Sequence, residues 1–185
     1  MDDHANPYVD IRGEGVDVRV DRRLRVVALR YLDRAGAFAQ QCHTLFGVVL
    51  PAVQCAVRVP GAAPEQECIL AWRNPQQTLA LISEGGAFAA STLRLPPTDD
   101  GCCVDQSGGV WALRLTGEGV EDLLRRIGDS ASVPRPGEAH VSRIADMAVM
   151  SLCVTAGETL LVVDRAYAEH LLNWIRVSAS AKSMQ

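Results

Sequence analysis

Residues 110–128 read VWALRLTGEGVEDLLRRIG, and this stretch predicts a strand, a tight turn and a helix in succession. Trp111, Leu113 and Leu115 alternate with smaller or polar residues, which is the period-2 pattern of a half-buried strand. Two glycines, at positions 117 and 119, then interrupt the alternation as a tight turn does. The next apolar residues recur at i, i+3, i+4 and i+7 and form one stripe along a helix: Val120, Leu123, Leu124 and Ile127.

The ends of this predicted helix carry charges that the helix dipole favours. Glu121 and Asp122 lie in the first turn, and Arg125 and Arg126 lie in the last turn. Each acidic residue precedes its arginine by four positions, and this order and spacing let an ion pair stabilise a helix. Gly128 stands where a glycine in the left-handed conformation is expected to end the helix.

A second strand–turn–helix pattern occurs at residues 25–47, RVVALRYLDRAGAFAQQCHTLFG, in which ALRYL corresponds to the later ALRL. Each copy is followed by two extended runs joined by a turn, and then by another helix. These runs and helices are residues 68–72, 79–83 and 87–93 in the first half and residues 148–155, 159–163 and 165–176 in the second. The chain therefore predicts the order β-α-β-β-α twice, a weak internal repeat. Two such halves predict an α+β fold in which antiparallel sheets carry helices on one face.

The predicted organisation is one domain built from two pseudo-repeated halves. A chain of 185 residues is long enough to bury a substantial core. A proline-containing linker, PPTDDG at residues 96–101, separates the halves. The expected parts are an N-terminal arm at 1–23, a domain at 24–177 with halves at 24–97 and 101–177, and a C-terminal tail at 178–185. The arm is expected to become ordered only when something binds it.

Composition excludes several classes of protein. The chain carries 18 Lys and Arg against 22 Asp and Glu, a net charge of −4, and no basic run, which argues against nucleic acid or an anionic membrane as a partner. Lys182 is the only lysine, so a P-loop or Schiff-base lysine is not expected. The N-terminus has no apolar signal region, and no apolar run is long enough to span a membrane. A cytoplasmic protein with six reduced cysteines is the expectation.

The turn Gly117-Glu118-Gly119 follows a strand and opens a helix, which is the setting of a dinucleotide-binding fingerprint. The third glycine position is Asp122, however, and a pyrophosphate there would meet the carboxylates of Glu118, Glu121 and Asp122. These residues therefore predict a tight turn and not a nucleotide site.

The cysteines and histidines also predict structural roles. The neighbours Cys102 and Cys103 cannot both bind one tetrahedral zinc ion without crowding. Cys42 and His43 are adjacent on a helix, so their side chains diverge, and Cys42 lies on the apolar stripe with Phe38, Leu45 and Phe46.

His170 lies between Tyr167 and Trp174 at helical spacing, which favours a packed or half-exposed side chain. His140 precedes a strand and has no obvious catalytic partner, and Asp105 is the one further group considered for acid–base or folate contacts. From these patterns we predict no catalytic, cofactor-binding or metal-binding residue in this chain.

Four segments occur in a specific order: residues 70–82 (LAWRNPQQTLALI), 104–107 (VDQS), 111–128 and 158–175 (ETLLVVDRAYAEHLLNWI). They comprise a Trp-x-x-Pro hairpin, a D-x-S strand, the strand–helix unit described above, and a strand that continues into R-x-Y-A-x-x-L-x-x-W. This ordered set resembles the gamma subunit of heterotetrameric sarcosine oxidase over residues 26–176. That family is similar in fold to the N-terminal part of the glycine-cleavage T-protein, a folate-dependent aminomethyltransferase.

The resemblance implies an accessory subunit with no active site of its own. In such complexes the alpha and beta flavoprotein subunits carry FAD, FMN, NAD and the tetrahydrofolate site, and a small delta subunit binds zinc. The complex oxidatively demethylates an N-methyl amino acid such as sarcosine and passes the one-carbon unit to tetrahydrofolate. The alpha, beta and delta subunits are therefore the expected partners, and no cofactor is expected on this chain.

The sequence departs from the family pattern at the hairpin. Gln76 and Gln77 stand where an acidic residue usually follows the proline, and Thr78 stands where tryptophan is common. These departures leave the substrate amine open. The alternative is a free-standing folate-binding or aminomethyltransferase-like protein, but the chain has about half the length of a full aminomethyltransferase and would lack its C-terminal barrel.

Overall fold

The computed structural model describes residues 10–13, 15–60, 67–84 and 86–180. Strands and helices follow the chain in this order: β1 (Asp10–Gly13), β2 (Val16–Val20), β3 (Leu24–Tyr31), α1 (Ala37–Phe46), β4 (Ala56–Arg58), β5 (Cys68–Asn74), β6 (Gln77–Ser83), α2 (Ala87–Leu93), β7 (Gly101–Asp105), β8 (Val110–Thr116), α3 (Val120–Ile127), β9 (Glu138–Ile144), β10 (Met147–Thr155), β11 (Glu158–Asp164) and α4 (Arg165–Ser180). No described helix is long and apolar enough to cross a membrane.

Two antiparallel sheets pack face to face, with a helical layer outside each of them. The six-stranded sheet has the order β1-β2-β8-β11-β10-β9, and the five-stranded sheet has the order β4-β5-β6-β3-β7. Side chains of both sheets meet in a central apolar cluster that includes Ala28, Leu81, Ala112 and Leu152. The opposite faces pack against α3 and α4 in one cluster and against α1 and α2 in another. The predicted α+β fold, with antiparallel sheets and helices on one face of each, is confirmed.

The two halves of the repeat exchange strands. In both sheets the strands of one half follow one spatial order, β4-β5-β6-β3 in the first and β9-β10-β11-β8 in the second. In the first sheet the strand next to β3 is β7, which belongs to the second half of the chain. In the second sheet the strand next to β8 is β2, which comes from the N-terminal end of the first half. β7 begins at Gly101, within the predicted second half, yet it belongs to the sheet of the first. The halves are therefore interlocked and share one core.

The prediction of an N-terminal arm at residues 1–23 is wrong for β1 and β2, which are part of the fold. β1 and β2 form a hairpin, and β2 extends the six-stranded sheet beside β8. Ile11, Val16 and Val18 are buried in the core next to α3 and α4. Burial of these apolar side chains explains why the segment forms a hairpin on the domain and not a free arm. Residues 1–9 lie outside the described residues. At the other end α4 continues to Ser180, three residues into the predicted tail, and residues 181–185 lie outside the described part.

The end of α3 differs from the prediction at one glycine. Gly128 is extended, with φ −139° and ψ −163°, and is not in the left-handed region. Only glycine fits at this position without a shift of its neighbours, because a Cβ here would collide with the hydroxyl of Ser132. The left-handed helix end predicted for α3 occurs instead in α1, where Gly47 has φ 69°.

Candidate functional site

The turn at Gly117–Gly119 contacts the β1–β2 hairpin. Gly117 has φ +113°, and a Cβ there would collide with the backbone carbonyl of Gly15. That carbonyl also accepts a hydrogen bond of 3.0 Å from the backbone N–H of Gly119. An amide that a phosphate would need at this helix start is thus already bonded, and the turn serves to join two elements of the fold.

The side chains of the neighbouring pairs Cys42–His43 and Cys102–Cys103 point in different directions, and burial keeps the thiols of Cys42 and Cys103 protonated. Cys42 is fully buried among α1 and sheet residues, and burial raises its pKa to about 12. His43 is exposed on the other side of α1, so the two side chains diverge as predicted. On β7, burial raises the pKa of Cys103 to about 11, and its neighbour Cys102 points to the opposite face of the strand.

Two further candidates have local partners. The ring Nε2 of His170 accepts a hydrogen bond of 3.1 Å from the indole N–H of Trp174, one turn along α4. Asp105 accepts bonds from the backbone N–H of Ser107 at 3.0 Å and from its hydroxyl at 2.7 Å. Burial alone would raise the pKa of Asp105, but these bonds and Arg25 hold it below its usual value. The Ser107 hydroxyl in turn accepts a hydrogen bond from the backbone N–H of Val26. Asp105 and Ser107 therefore fix the β7–β8 turn.

A groove of about 750 Å³ lies between α3, the loop at 130–136 and the ends of β9, β10 and β11. We call it the α3 groove. Its polar members include His140, whose Nε2 lies 3.1 Å from a carboxylate oxygen of Glu138. The backbone N–H of Arg135, followed by His140, holds the pKa of Glu138 below its usual value. The prediction that nothing completes a site around His140 missed this carboxylate.

Besides this histidine–carboxylate pair, the α3 groove is lined by further charged side chains, among them Glu118, Glu121 and Arg125. Cys153, which also lines the groove, donates its thiol to the backbone carbonyl of Thr155 at 3.2 Å. Burial raises the pKa of Cys153, so the reactive thiolate is disfavoured. Across the described ranges no group of three or more His, Cys, Asp or Glu side chains is placed to hold a metal ion. The groove therefore offers a proton-transfer pair without an activated nucleophile beside it.

A partly buried ionic cluster joins the two sheets, and sequence reasoning missed it. The guanidinium of Arg114, on β8, donates to Asp21 at 2.9 Å, to Glu67 at 2.6 Å and to Glu158. Glu67, whose side chain is 7% exposed, also pairs with Arg58 of β4 at 2.8 Å. We call these five residues the Arg114 cluster.

The charged groups of the Arg114 cluster contact one another. Burial alone would lower the pKa of the Arg114 guanidinium, but the carboxylates of Glu67, Glu158 and Asp21 outweigh burial and raise it. Arg114, Asp21 and Glu158 belong to the six-stranded sheet and its turns, whereas Glu67 and Arg58 belong to the five-stranded sheet. Each carboxylate contacts a guanidinium group, so the cluster connects layers of the fold, with three carboxylates sharing two arginines.

The fold is shared with solved structures of low sequence identity. Over 95% of this chain and 90% of the other, it superimposes with a TM-score of 0.78 and 18% identity on a chain of the heterotetrameric sarcosine oxidase from Corynebacterium sp. U-96. Aminomethyltransferase T of the glycine cleavage system from Bartonella henselae matches with a TM-score of 0.66 and 8% identity. That match covers 88% of this chain but 46% of the aminomethyltransferase. No family model and no curated protein matches the sequence.

These likenesses define the class of fold to which the chain belongs. Each half of this chain has the order β-α-β-β-β-α, because β4 and β9 each add one strand to the predicted β-α-β-β-α repeat.

Proposed function

We propose that this chain is a non-catalytic accessory subunit, of the gamma type, in a heterotetrameric flavin-dependent complex similar to sarcosine oxidase. The complex would oxidatively demethylate an N-methyl amino acid or related amine and pass the one-carbon unit to tetrahydrofolate. Its other members would be the alpha and beta flavoprotein subunits and a small delta subunit.

One observation carries this proposal: the chain and the sarcosine oxidase chain match over nearly their whole lengths, 95% and 90%. The match to the aminomethyltransferase covers 46% of that protein, so it supports the alternative of a free-standing transferase less fully. The order of sequence segments that resembles the gamma subunit supports the same choice.

We further propose that this chain binds none of the cofactors of the complex, with FAD, FMN, NAD and tetrahydrofolate on the larger subunits and zinc on the delta subunit. The geometry of four candidate residues supports this. The amide of Gly119 is bonded to Gly15, the thiols of Cys42 and Cys103 are buried with raised pKa values, and His170 is bonded to Trp174.

Co-purification from the natural host tests the proposal. The chain, tagged at its chromosomal locus, is expected to bring two large flavoproteins with it, visible as flavin absorbance in the eluate. Arg125→Asp on the exposed face of α3 is the matched control for Leu124→Asp in its buried face, and only the second should lose the flavoproteins. A tagged wild-type chain that purifies alone, and that binds tetrahydrofolate by calorimetry, would instead establish the free-standing alternative.

A further inference from the structure

A cavity of about 460 Å³ lies at one end of the five-stranded sheet, beside the β5–β6 hairpin and the start of β7. Four of its lining side chains form one row across neighbouring strands, in the order Asn74, Gln77, Arg30 and Cys102. Paired residues of an antiparallel sheet place their side chains on the same face, with Cβ atoms about 4.5–5.5 Å apart. We call this space the Gln77 cavity.

The side-chain amide of Gln77 has a donor that the fold leaves without an acceptor. Gln77 is 8% exposed, and its Nε2 is buried with no hydrogen-bond partner among the described residues. The backbone N–H of Gln76 donates to Oδ1 of Asn74 at 3.0 Å, so Nδ2 of Asn74 is the donor to Oε1 of Gln77 at 3.3 Å. Turning the Gln77 amide over would place two donors against each other. Nε2 therefore stays unpaired, which is unfavourable for a buried donor.

Arg30, the neighbour of Gln77 on β3, adds a positive charge to the cavity. Its side chain is exposed, and within the part of the chain that the structure describes its guanidinium forms no ion pair. Because Oε1 of Gln77 is already bonded, both neighbours have only N–H donors to give, and a ligand must supply the acceptors. A carboxylate has two oxygens that can accept from both groups, and its planar shape matches the fork of a guanidinium.

The acidic residues of the cavity limit the charge of the ligand. Asp99 and Asp100, in the loop before β7, also line it. The hydroxyl of Thr98, followed by the backbone N–H of Phe38, holds the pKa of Asp100 below its usual value, so this carboxylate is ionised at neutral pH. The two carboxylates repel a dianion such as phosphate more strongly than they repel a monoanion. Leu32, 73% exposed, lines the same cavity and provides apolar surface for the rest of the ligand.

We propose that the Gln77 cavity binds a small aliphatic monocarboxylate, whose oxygens accept hydrogen bonds from Nε2 of Gln77 and from the guanidinium of Arg30 and whose carbon chain packs on Leu32. Gln77 lies in the hairpin at which the sequence departs from the family pattern, and the proposed accessory role does not use its side chain. The site belongs to this chain alone, so it is independent of that role, which co-purification tests separately.

Nuclear magnetic resonance of the purified full chain tests the site with butyrate as the probe. The side-chain amide resonances of Gln77, identified by their loss in Gln77→Met, report on the unpaired donor directly. Butyrate is expected to move them downfield and to saturate. Arg30→Met should weaken butyrate binding by about tenfold or more, because a hydrogen bond to a charged group is lost. Arg94→Met, exposed at the end of α2 and outside the cavity, removes the same charge and should bind butyrate as the wild type does.

Two further probes test the class of ligand. Butyramide, which has a similar shape without the charge, and inorganic phosphate should each bind about tenfold or more weakly than butyrate. A Gln77 amide that butyrate does not move overturns the proposal, because water then satisfies the donor. Equal weakening by Arg30→Met and Arg94→Met also overturns it. So does an equal shift with phosphate or chloride, which would show an adventitious ion only. None of these outcomes depends on whether flavoproteins co-purify with the chain.

Discussion

Arg114 and Arg30 occupy corresponding positions in the two halves, in ALRL and ALRYL, and their surroundings differ. Arg114 holds three carboxylates between the sheets, with 22% of its side chain exposed. Arg30 is exposed and lies near the end of β3 in the five-stranded sheet. Arg30 is therefore an internal control for the contribution of the Arg114 cluster to stability.

Arg114→Ala is expected to lower the free energy of unfolding by more than the roughly 1 kcal/mol of an exposed ion pair and by no more than the about 3–5 kcal/mol of a fully buried one, because Asp21, Glu67 and Glu158 lose their shared cation. Arg30→Ala should change it by less than about 0.5 kcal/mol, as exposed substitutions usually do. Urea unfolding of the two variants beside the wild type measures both values. Equal losses for the two arginines would show that the cluster has no special value for stability.

The carboxylate of Asp105 predicts a dependence of stability on pH. Its pKa in the folded chain lies below the usual value, so the folded state binds its proton less tightly than the unfolded state does. The resulting stabilisation is present above the ordinary aspartate pKa and is lost as the pH falls through the lower folded value. Asp105→Asn should therefore be less stable than the wild type at neutral pH, and the two unfolding curves should converge in acid. A difference that persists unchanged at the lowest pH would contradict this.

At the scale of the elements, α3 is the part that the sequence predicts best. Its apolar stripe, its turn and its bounds agree with residues 120–127, because a 3.6-residue period is a local property. The period-2 pattern of β8 was correct but incomplete: it implied one buried face, whereas the second sheet also covers the face that carries Ala112 and Arg114. Burial of that face depends on a partner sheet distant in sequence, which no local pattern reveals. The same limit applies to β2, whose partner β8 lies far along the chain.

Leu124→Asp should unfold the chain, since Leu124 is fully buried and an unpaired carboxylate there costs several kcal/mol. A domain of ordinary stability has about 5–15 kcal/mol in total. Arg125→Asp, one position away and 59% exposed, should cost no more than about 1 kcal/mol. Circular dichroism and thermal unfolding of the pair distinguish the two results. A folded Leu124→Asp chain with near wild-type stability would contradict the burial of this helix face.

Gly117→Ala should detach the β1–β2 hairpin from the start of α3. A methyl group at Gly117 collides with the Gly15 carbonyl in addition to the strain of a positive φ. Gly157→Ala, also at positive φ but with open space around it, should cost only about 1 kcal/mol. Hydrogen exchange should show faster amide exchange in β1 and β2 for Gly117→Ala alone. Equal exchange in the two variants would mean that the close approach to Gly15 is unimportant.

At the scale of the whole molecule, the proposed accessory role predicts that sensitivity follows burial and not chemistry. In assembled complex, His140→Ala, His170→Ala and Asp105→Asn should each keep turnover within a few-fold of the wild type. Loss of a general acid or base typically costs about 10²–10⁴-fold. The measurement is turnover per assembled flavin, so that a failure of assembly is not mistaken for a loss of catalysis. A hundredfold loss in any normally assembled variant would show that this chain contributes to the chemistry.

The exchange of β2 and β7 has a consequence for the order in which the protein can form on the ribosome. β2 is synthesised early, but Val18 pairs with Leu115, which emerges only after the whole first half has been made. β3 similarly waits for β7 before its outer edge is covered. The nascent first half must therefore keep an unpaired strand and an open sheet edge available while translation continues, a state in which partly made chains are prone to associate. Slow elongation between β6 and β8 would prolong that exposure, which can end at the five-stranded sheet once β7 has emerged and at β2 only once β8 has followed.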